Sequence, residues 1–167
     1  TGKMTKKIDQ FQKLNKIYTG KFFLGATTPS YDLETEINSK KSIDHVTEKL
    51  ILKTTEDFKG KTIQTPPIYS AIKHKGKKLY EFARKGETVK IKEREIFISE
   101  FLIIKKQLPE LDFLVNCSKG TYIRSLANDF GKKLECGAYL SKLTRTAIGD
   151  HLLENAISIE DFDKTLN

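Results

Sequence analysis

Two short stretches of the sequence hold residue types that could do chemistry. The first is Cys117-Ser118-Lys119-Gly120-Thr121-Tyr122-Ile123-Arg124-Ser125-Leu126-Ala127. An apolar strand runs through a glycine into the start of a helix. Tyr122 and Arg124 therefore stand where backbone N–H groups point outward and favour anions. A ring beside a fixed guanidinium suits a base next to a phosphate, or an arginine holding a buried carboxylate. The plainer alternative is a buried tyrosine and a surface ion pair. The second stretch runs from Pro66 to Gly86, where two rigid prolines precede Tyr69, Lys73, Lys77, Tyr80 and Arg84. Aromatic rings interleaved with cations make a stacking and phosphate-binding surface for looped or single-stranded RNA. The alternative is an exposed basic hairpin and helix with no partner.

Other chemistries find no support. The sequence has no H-E-x-x-H, C-x-x-C, G-x-G-x-x-G or Walker loop. His45, His74 and His151 are scattered, and Cys117 and Cys136 read as small packing residues. No apolar run approaches the roughly 18 residues of a membrane span. Two cysteines make neither a disulfide framework nor a zinc pattern. Composition therefore predicts a soluble, cytoplasmic protein.

The charge is informative through its distribution. The chain of 167 residues carries a formal net charge of +8, and nearly all of its basic residues are lysine, a bias that genome composition alone can produce. Residues 59–94, however, hold eleven basic side chains against three acidic ones, and acidic blocks flank them. Basic blocks brought to one face would attract a phosphate backbone in a salt-dependent way.

These residues must be positioned by a mixed set of elements. Met4, Ile8 and Phe11 share a helical face, and Ile17 to Leu24 reads as a strand ending at Gly25. Residues 26–32 read as a loop, and Ser42 as the cap of a helix using Ile43, Val46, Leu50 and Ile51. Thr65-Pro66-Pro67 is extended, Lys77 to Lys85 is a short helix, and Gly86 is its C-cap. Strands are predicted over Thr88–Ile104, Leu111–Cys117 and Leu143–Ile148. Thr121 to Leu134 has helical periodicity, and Ser158-Ile159-Glu160-Asp161 opens a last helix. Strands and helices without regular β-α-β alternation predict an α+β fold.

As strings, the motifs are more specific than their physics. They resemble the TruB family, the bacterial tRNA pseudouridine synthases that act on the T-loop, over nearly the whole chain. Thr1-Gly2-Lys3-Met4-Thr5-Lys6 resembles the segment after that family's catalytic loop. Asn15-Lys16-Ile17-Tyr18, Leu24-Gly25, Thr27-Thr28 and Asp32 resemble its K-x-Y, L-G and T-x-x-x-D strand and loop. The Pro66 to Gly86 stretch resembles the RNA-gripping thumb, and Cys117 to Arg124 the C-S-K-G-T-Y-I-R motif. Gly137, Ala138, Leu143 and Arg145 resemble the segment that closes the active site.

The resemblance implies a mixed, largely antiparallel sheet flanked by helices, with a thumb insertion at about residues 66–90. It implies conversion of a T-loop uridine of tRNA to pseudouridine, without cofactor or metal. By it, Tyr18 packs on the target base and assists proton removal, while Tyr122 and Leu143 line the uridine pocket. Arg124 pairs with the catalytic aspartate, and Lys6 lies near the RNA backbone. RNA contacts are expected from Tyr69, Lys73, Lys77, Tyr80 and Arg84.

One departure matters. The family's nucleophilic aspartate sits in a G-T-L-D-P loop, and the 167 residues contain no such loop. Asp9, Asp32 and Asp129 are the nearest carboxylates by position, and none lies in that motif. The opening Thr1-Gly2 reads as the start of a fragment: residues 1–167 as the larger C-terminal part of one catalytic domain. Arg124 would then lack its partner, and the chain alone would be inactive. A non-catalytic RNA-binding module and a basic domain without an RNA partner remain as alternatives.

Overall fold

The computed structural model describes residues 2–165; Thr1, the first residue of the family-like opening, lies outside the described residues. A 3-10 turn over Gly2–Lys7 leads into α1 (Ile8–Lys13), then β1 (Lys16–Leu24), β2 (Ala26–Thr27) and β3 (Ser39–Lys40). Next come α2 (Glu48–Asp57), β4 (Gly60–Gln64), β5 (Lys73–His74), β6 (Lys77–Lys78) and α3 (Leu79–Arg84). The long strands β7 (Arg94–Gln107) and β8 (Glu110–Cys117) precede α4 (Ile123–Lys133). The chain continues through β9 (Ala138–Ile148), β10 (His151–Leu152) and α5 (Ile159–Lys164).

Six strands form one sheet in the order β10-β9-β1-β8-β7-β4, and every pairing in it is antiparallel. The architecture is the expected α+β. Alternation along the strands sends Phe22, Leu24, Phe113, Val115 and Cys117 to one face, all buried. Onto that face α4 lays Ile123, Leu126, Ala127 and Phe130, with Leu134 just beyond it, and α2 adds Ile51. Phe22 lies 4.2 Å from Phe113 and 5.7 Å from Phe130, centroid to centroid. Each such ring contributes roughly 1.5–3 kcal/mol by leaving water. Gly20 is required within β1. A Cβ there would run into the Lys142 carbonyl and the Phe113 ring.

Several boundaries differ from expectation, each for a local reason. Ser42 caps no helix; its hydroxyl accepts the Asp44 N–H at 3.0 Å in a tight turn. The helix starts five residues later, where Thr47 accepts the Leu50 N–H at 3.2 Å. Lys77 and Lys78 are strand rather than helix. Lys75 and Gly76 both have positive φ, 48° and 83°, the turn that closes the β5–β6 hairpin. The following helix keeps its expected end, with Gly86 at φ 70°. β7 begins at Arg94, not Thr88, because its first partner, Gln64 of β4, stands opposite Arg94.

Candidate functional site

Arg124 lies on the first turn of α4 and points out of the core into the loop after β2. Its guanidinium Nη1 stands 3.1 Å from Asp32 Oδ2 and 3.8 Å from Glu34 Oε2. Nη2 donates to the Tyr69 carbonyl at 2.7 Å, and Nη1 to the Ser30 carbonyl at 3.4 Å. One side chain thus ties the 28–35 loop to the start of the 66–86 stretch. The loop is itself rigid. Buried Thr28 and Ser30 both donate to the Asp32 carbonyl, and Asp32 Oδ1 accepts the Glu34 N–H at 3.0 Å. The expectation that Arg124 lacks a partner is therefore corrected: two carboxylates of this chain already face it.

A cavity of about 520 Å³ opens beside that network, lined by Asp32, Leu33, Glu34, Arg124, Leu140 and Leu143, with Ser141 and Lys142. Its walls combine leucine side chains with one fixed guanidinium and two carboxylates. That combination suits a flat, polar-edged group entering from solvent.

Tyr18 and Leu143 are carried by the paired strands β1 and β9. In the β1–β9 pairing Tyr18 stands opposite Arg145, and Gly20 opposite Leu143. Opposed residues project to one side, so Tyr18, Leu143 and Arg145 share the helix-bearing face. Register shifts between Ile17/Tyr18 and Lys21/Phe22 re-aim this part of β9. Burial pushes the Tyr18 phenol pKa up, and a hydrogen bond from Arg145 pulls it partly back. Near neutral pH Tyr18 is a protonated phenol, suited to stacking and to donating a hydrogen bond.

Tyr122, the residue just before α4, is gripped through its main chain. Its N–H donates to Gln64 Oε1 at 2.8 Å, and Gln64 Nε2 donates to its carbonyl at 3.1 Å. Its ring lies under the Arg94 guanidinium at 5.4 Å. Neither Tyr18 nor Tyr122 lines the cavity, so Arg124 and Leu143 are the predicted residues that the cavity brings together.

The remaining candidates belong to the hairpin and α3. Lys73 and Lys77 are exposed on β5 and β6. The Tyr80 ring carries the Lys78 ammonium at 5.5 Å and the Arg84 guanidinium at 5.1 Å. Tyr69 enters the site through its carbonyl rather than its ring. Lys6 is exposed in the 3-10 turn before α1. Gln64, Arg94 and Glu34 are absent from the sequence-predicted set. Gln64 left no signal of its role: Gly60-Lys61-Thr62-Ile63-Gln64 has one large apolar residue and no alternation to mark a buried position. Among the described residues no cluster of three or more His, Cys, Asp or Glu could hold a metal ion. Among the described residues no helix is long and apolar enough to cross a membrane.

Comparison with known proteins finds relatives over nearly the whole chain. The profile of the "TruB family pseudouridylate synthase (N terminal domain)" matches residues 1–123. The tRNA pseudouridine synthase B of Flavobacterium johnsoniae is 54% identical over 166 residues, covering 99% of this chain and 72% of that protein. The tRNA pseudouridine synthase B of Phocaeicola vulgatus is 46% identical over 167 residues, 100% of this chain and 71% of that one. Among solved structures, a chain of a Cbf5-Nop10-Gar1 complex superimposes with a TM-score of 0.67 at 24% identity. That match covers 94% of this chain and 37% of the other. A chain of an H/ACA RNP bound to a substrate RNA containing 2'-deoxyuridine gives 0.63 at 21%.

Proposed function

The chain belongs to the TruB family of pseudouridylate synthases, and from that premise we propose that its site isomerises a T-loop uridine of tRNA to pseudouridine. The observation that carries the reading is Arg124, held by four oxygen partners at the mouth of a cavity that also contains Leu143. In this reading the uridine is flipped out of the loop, because chemistry at its carbons cannot be reached inside a stack. The N1–C1′ bond breaks, the base turns, a C5–C1′ bond forms, and the hydrogen at C5 leaves as a proton while N1 gains one. Leu143 walls the base from the cavity, and the rings of Tyr18 and Tyr122, which lie outside that cavity, are assigned to the base by the family resemblance. Arg124 keeps the family's nucleophilic aspartate ionised in a dry pocket, as a guanidinium partner does. Asp32 and Glu34 hold that guanidinium in place.

Residues 1–167 serve as the larger C-terminal part of the catalytic domain. The segment at about 66–90 acts as the RNA grip through Tyr69, Lys73, Lys77, Tyr80 and Arg84, with Lys6 near the backbone. The partner is the T-stem-loop of tRNA, in the cytoplasm. The 167 residues contain no G-T-L-D-P loop, so they bind this RNA without turning it over. The test is tritium release from C5 of the uridine in a T-stem-loop. Release by the full gene product, with none from the 167 residues, is the expected result. Release by the 167 residues alone would overturn the assignment of the nucleophile. Salt-sensitive binding without release by the full gene product would favour a non-catalytic RNA-binding module.

A further inference from the structure

Tyr122 is held more tightly than the start of a helix requires. An N-cap position usually satisfies the first turn through a serine, threonine, aspartate or asparagine. Tyr122 has no side-chain cap bond. Instead Gln64, itself buried at 3% exposure, closes both backbone groups of Tyr122 reciprocally. Gln64 ends β4, and in the sheet it stands directly opposite Arg94, the first residue of β7. Arg94 in turn places its guanidinium over the Tyr122 ring at 5.4 Å. The turn between β8 and Tyr122 passes through Gly120 at φ 86°, a conformation that favours glycine, and the Arg94 guanidinium lies alongside it. The next turn is fastened to the same place. Ser125 Oγ donates to the carbonyl of Thr65, the neighbour of Gln64, at 2.8 Å.

One cross-strand pair therefore grips one tyrosine twice, Gln64 by the main chain and Arg94 by the ring. We propose that Gln64 and Arg94 form a positioning clamp that fixes the Tyr122 ring as a rigid wall for the target base; this rests on the function proposed above. A ring that is free to swing loses alignment when a base stacks on it. A ring backed by a guanidinium presents its other face without that freedom, and alignment lost at a reacting centre costs rate more than affinity. Arg94 acts through Tyr122 and is not itself a catalytic residue.

The experiment uses the full gene product and a T-stem-loop labelled with tritium at C5. It compares single-turnover release, RNA Kd and the salt dependence of Kd. Arg94→Ala is expected to slow release about tenfold, the scale of a partly buried cation–π contact. The Kd and its salt slope stay within twofold of wild type. Arg94→Lys, which keeps a cation over the ring, recovers part of the rate. In a Tyr122→Leu background Arg94→Ala costs nothing further, because there is no ring left to hold. Melting temperatures of all variants separate misfolding from misalignment; Arg94→Lys carries the test if Arg94→Ala does not fold. An unchanged rate in Arg94→Ala overturns the clamp. So does a loss confined to Kd with a salt slope shallower by about one, the mark of a direct phosphate contact. Additive effects of Arg94→Ala and Tyr122→Leu overturn it as well. A wild-type gene product that releases no tritium overturns the reading of the reaction, and the clamp with it.

Discussion

The Arg124 site and the basic hairpin are far apart in the sequence and joined through Tyr69, yet they are built on opposite terms. Arg124 is 21% exposed and satisfied by four oxygen atoms on two loops, on a helix whose other face is the core. The hairpin and α3 expose Lys73, Lys77 and Lys78, and they bury only Leu79 fully. Rigid surroundings suit alignment of a reacting centre, while solvated cations on a small projection suit capture of a polyanion. The two regions meet at Tyr69, whose carbonyl accepts from Arg124 at 2.7 Å. The hairpin segment is thus tied to the site through its own main chain, which accepts from the Arg124 guanidinium, and not by an ion pair.

The comparison breaks most visibly at its rigid end. Arg124→Ala is expected to lower single-turnover tritium release by the full gene product about 100- to 1,000-fold, the usual cost of losing one preorganised charged donor. It also leaves Asp32 and Glu34 facing each other without a cation. Part of the pair is solvated, so the stability loss is about 1–3 kcal/mol rather than the full cost of a buried pair. Denaturant titration reads that loss. A variant with wild-type rate would remove Arg124 from the chemistry.

Next in size is a change that touches no RNA. Gly20→Val pushes a side chain against the Lys142 carbonyl and the Phe113 ring, within the strand that places Tyr18 opposite Arg145. Overpacking of this kind costs roughly 1–3 kcal/mol. The melting temperature falls, and RNA affinity measured well below it stays unchanged. A loss of affinity without a loss of stability would mean that the Gly20 surface touches the RNA.

How much of this was legible follows the range of the forces involved. Ile123, Leu126, Ala127 and Phe130 recur at helical spacing, so α4 could be read from the sequence, as could β1 and β8 from their alternation. β4 was not: Gly60-Lys61-Thr62-Ile63-Gln64 is a short edge segment whose partner β7 lies far along the chain. The first half of β9 was missed because Ala138, Tyr139 and Leu140 are buried in succession, so the segment carries no polar–apolar alternation. At the site the string around Arg124 was conspicuous, but its partners Asp32 and Glu34 come from a loop ordered by its own side-chain bonds. Pairing of that kind is a tertiary event and leaves no periodic trace. The Lys75-Gly76 turn, by contrast, is local chemistry, and a reading that weighed the glycine would have found the hairpin.

The basic hairpin should respond in the reverse sense to the site. Replacing Lys73, Lys77 and Arg84 together by alanine removes three exposed cations and, of packing, the Arg84 contact with the Tyr80 ring. Stability is expected to shift by about 0.5 kcal/mol or less for each exposed position. RNA affinity falls, and the salt slope of log Kd becomes shallower by about 2 if all three meet phosphates of an unpaired loop. An unchanged slope would leave the hairpin outside the RNA contact and move the grip elsewhere.

The smallest expected effect tests the core helix against its own surface. Asp129 lies on α4, and burial raises its carboxyl pKa, although Lys132 and Asn128 both pull it down. A raised folded pKa means that the native state holds the proton more tightly than the unfolded chain does. The group therefore favours folding most below its unfolded pKa, and that contribution is lost as pH rises through the folded value. At neutral pH the ionised, partly buried carboxylate is a small cost. Asp57 behaves oppositely: the Lys133 ammonium, 2.8 Å away, lowers its pKa, so its contribution is present above the unfolded value and lost on acidification. Asp129→Asn keeps an oxygen for the Asn128 amide and removes the titration. It should be more stable than wild type by less than about 1 kcal/mol at pH 7, and the difference should close as pH falls through the carboxylate range. Asp57→Asn should be less stable than wild type at pH 7 and converge with it from the other side. Melting curves of both variants from neutral to acid pH read the two signs directly. If Asp129→Asn destabilises at pH 7, the Lys132 pair outweighs burial, and α4 is held at that position by charge rather than in spite of it.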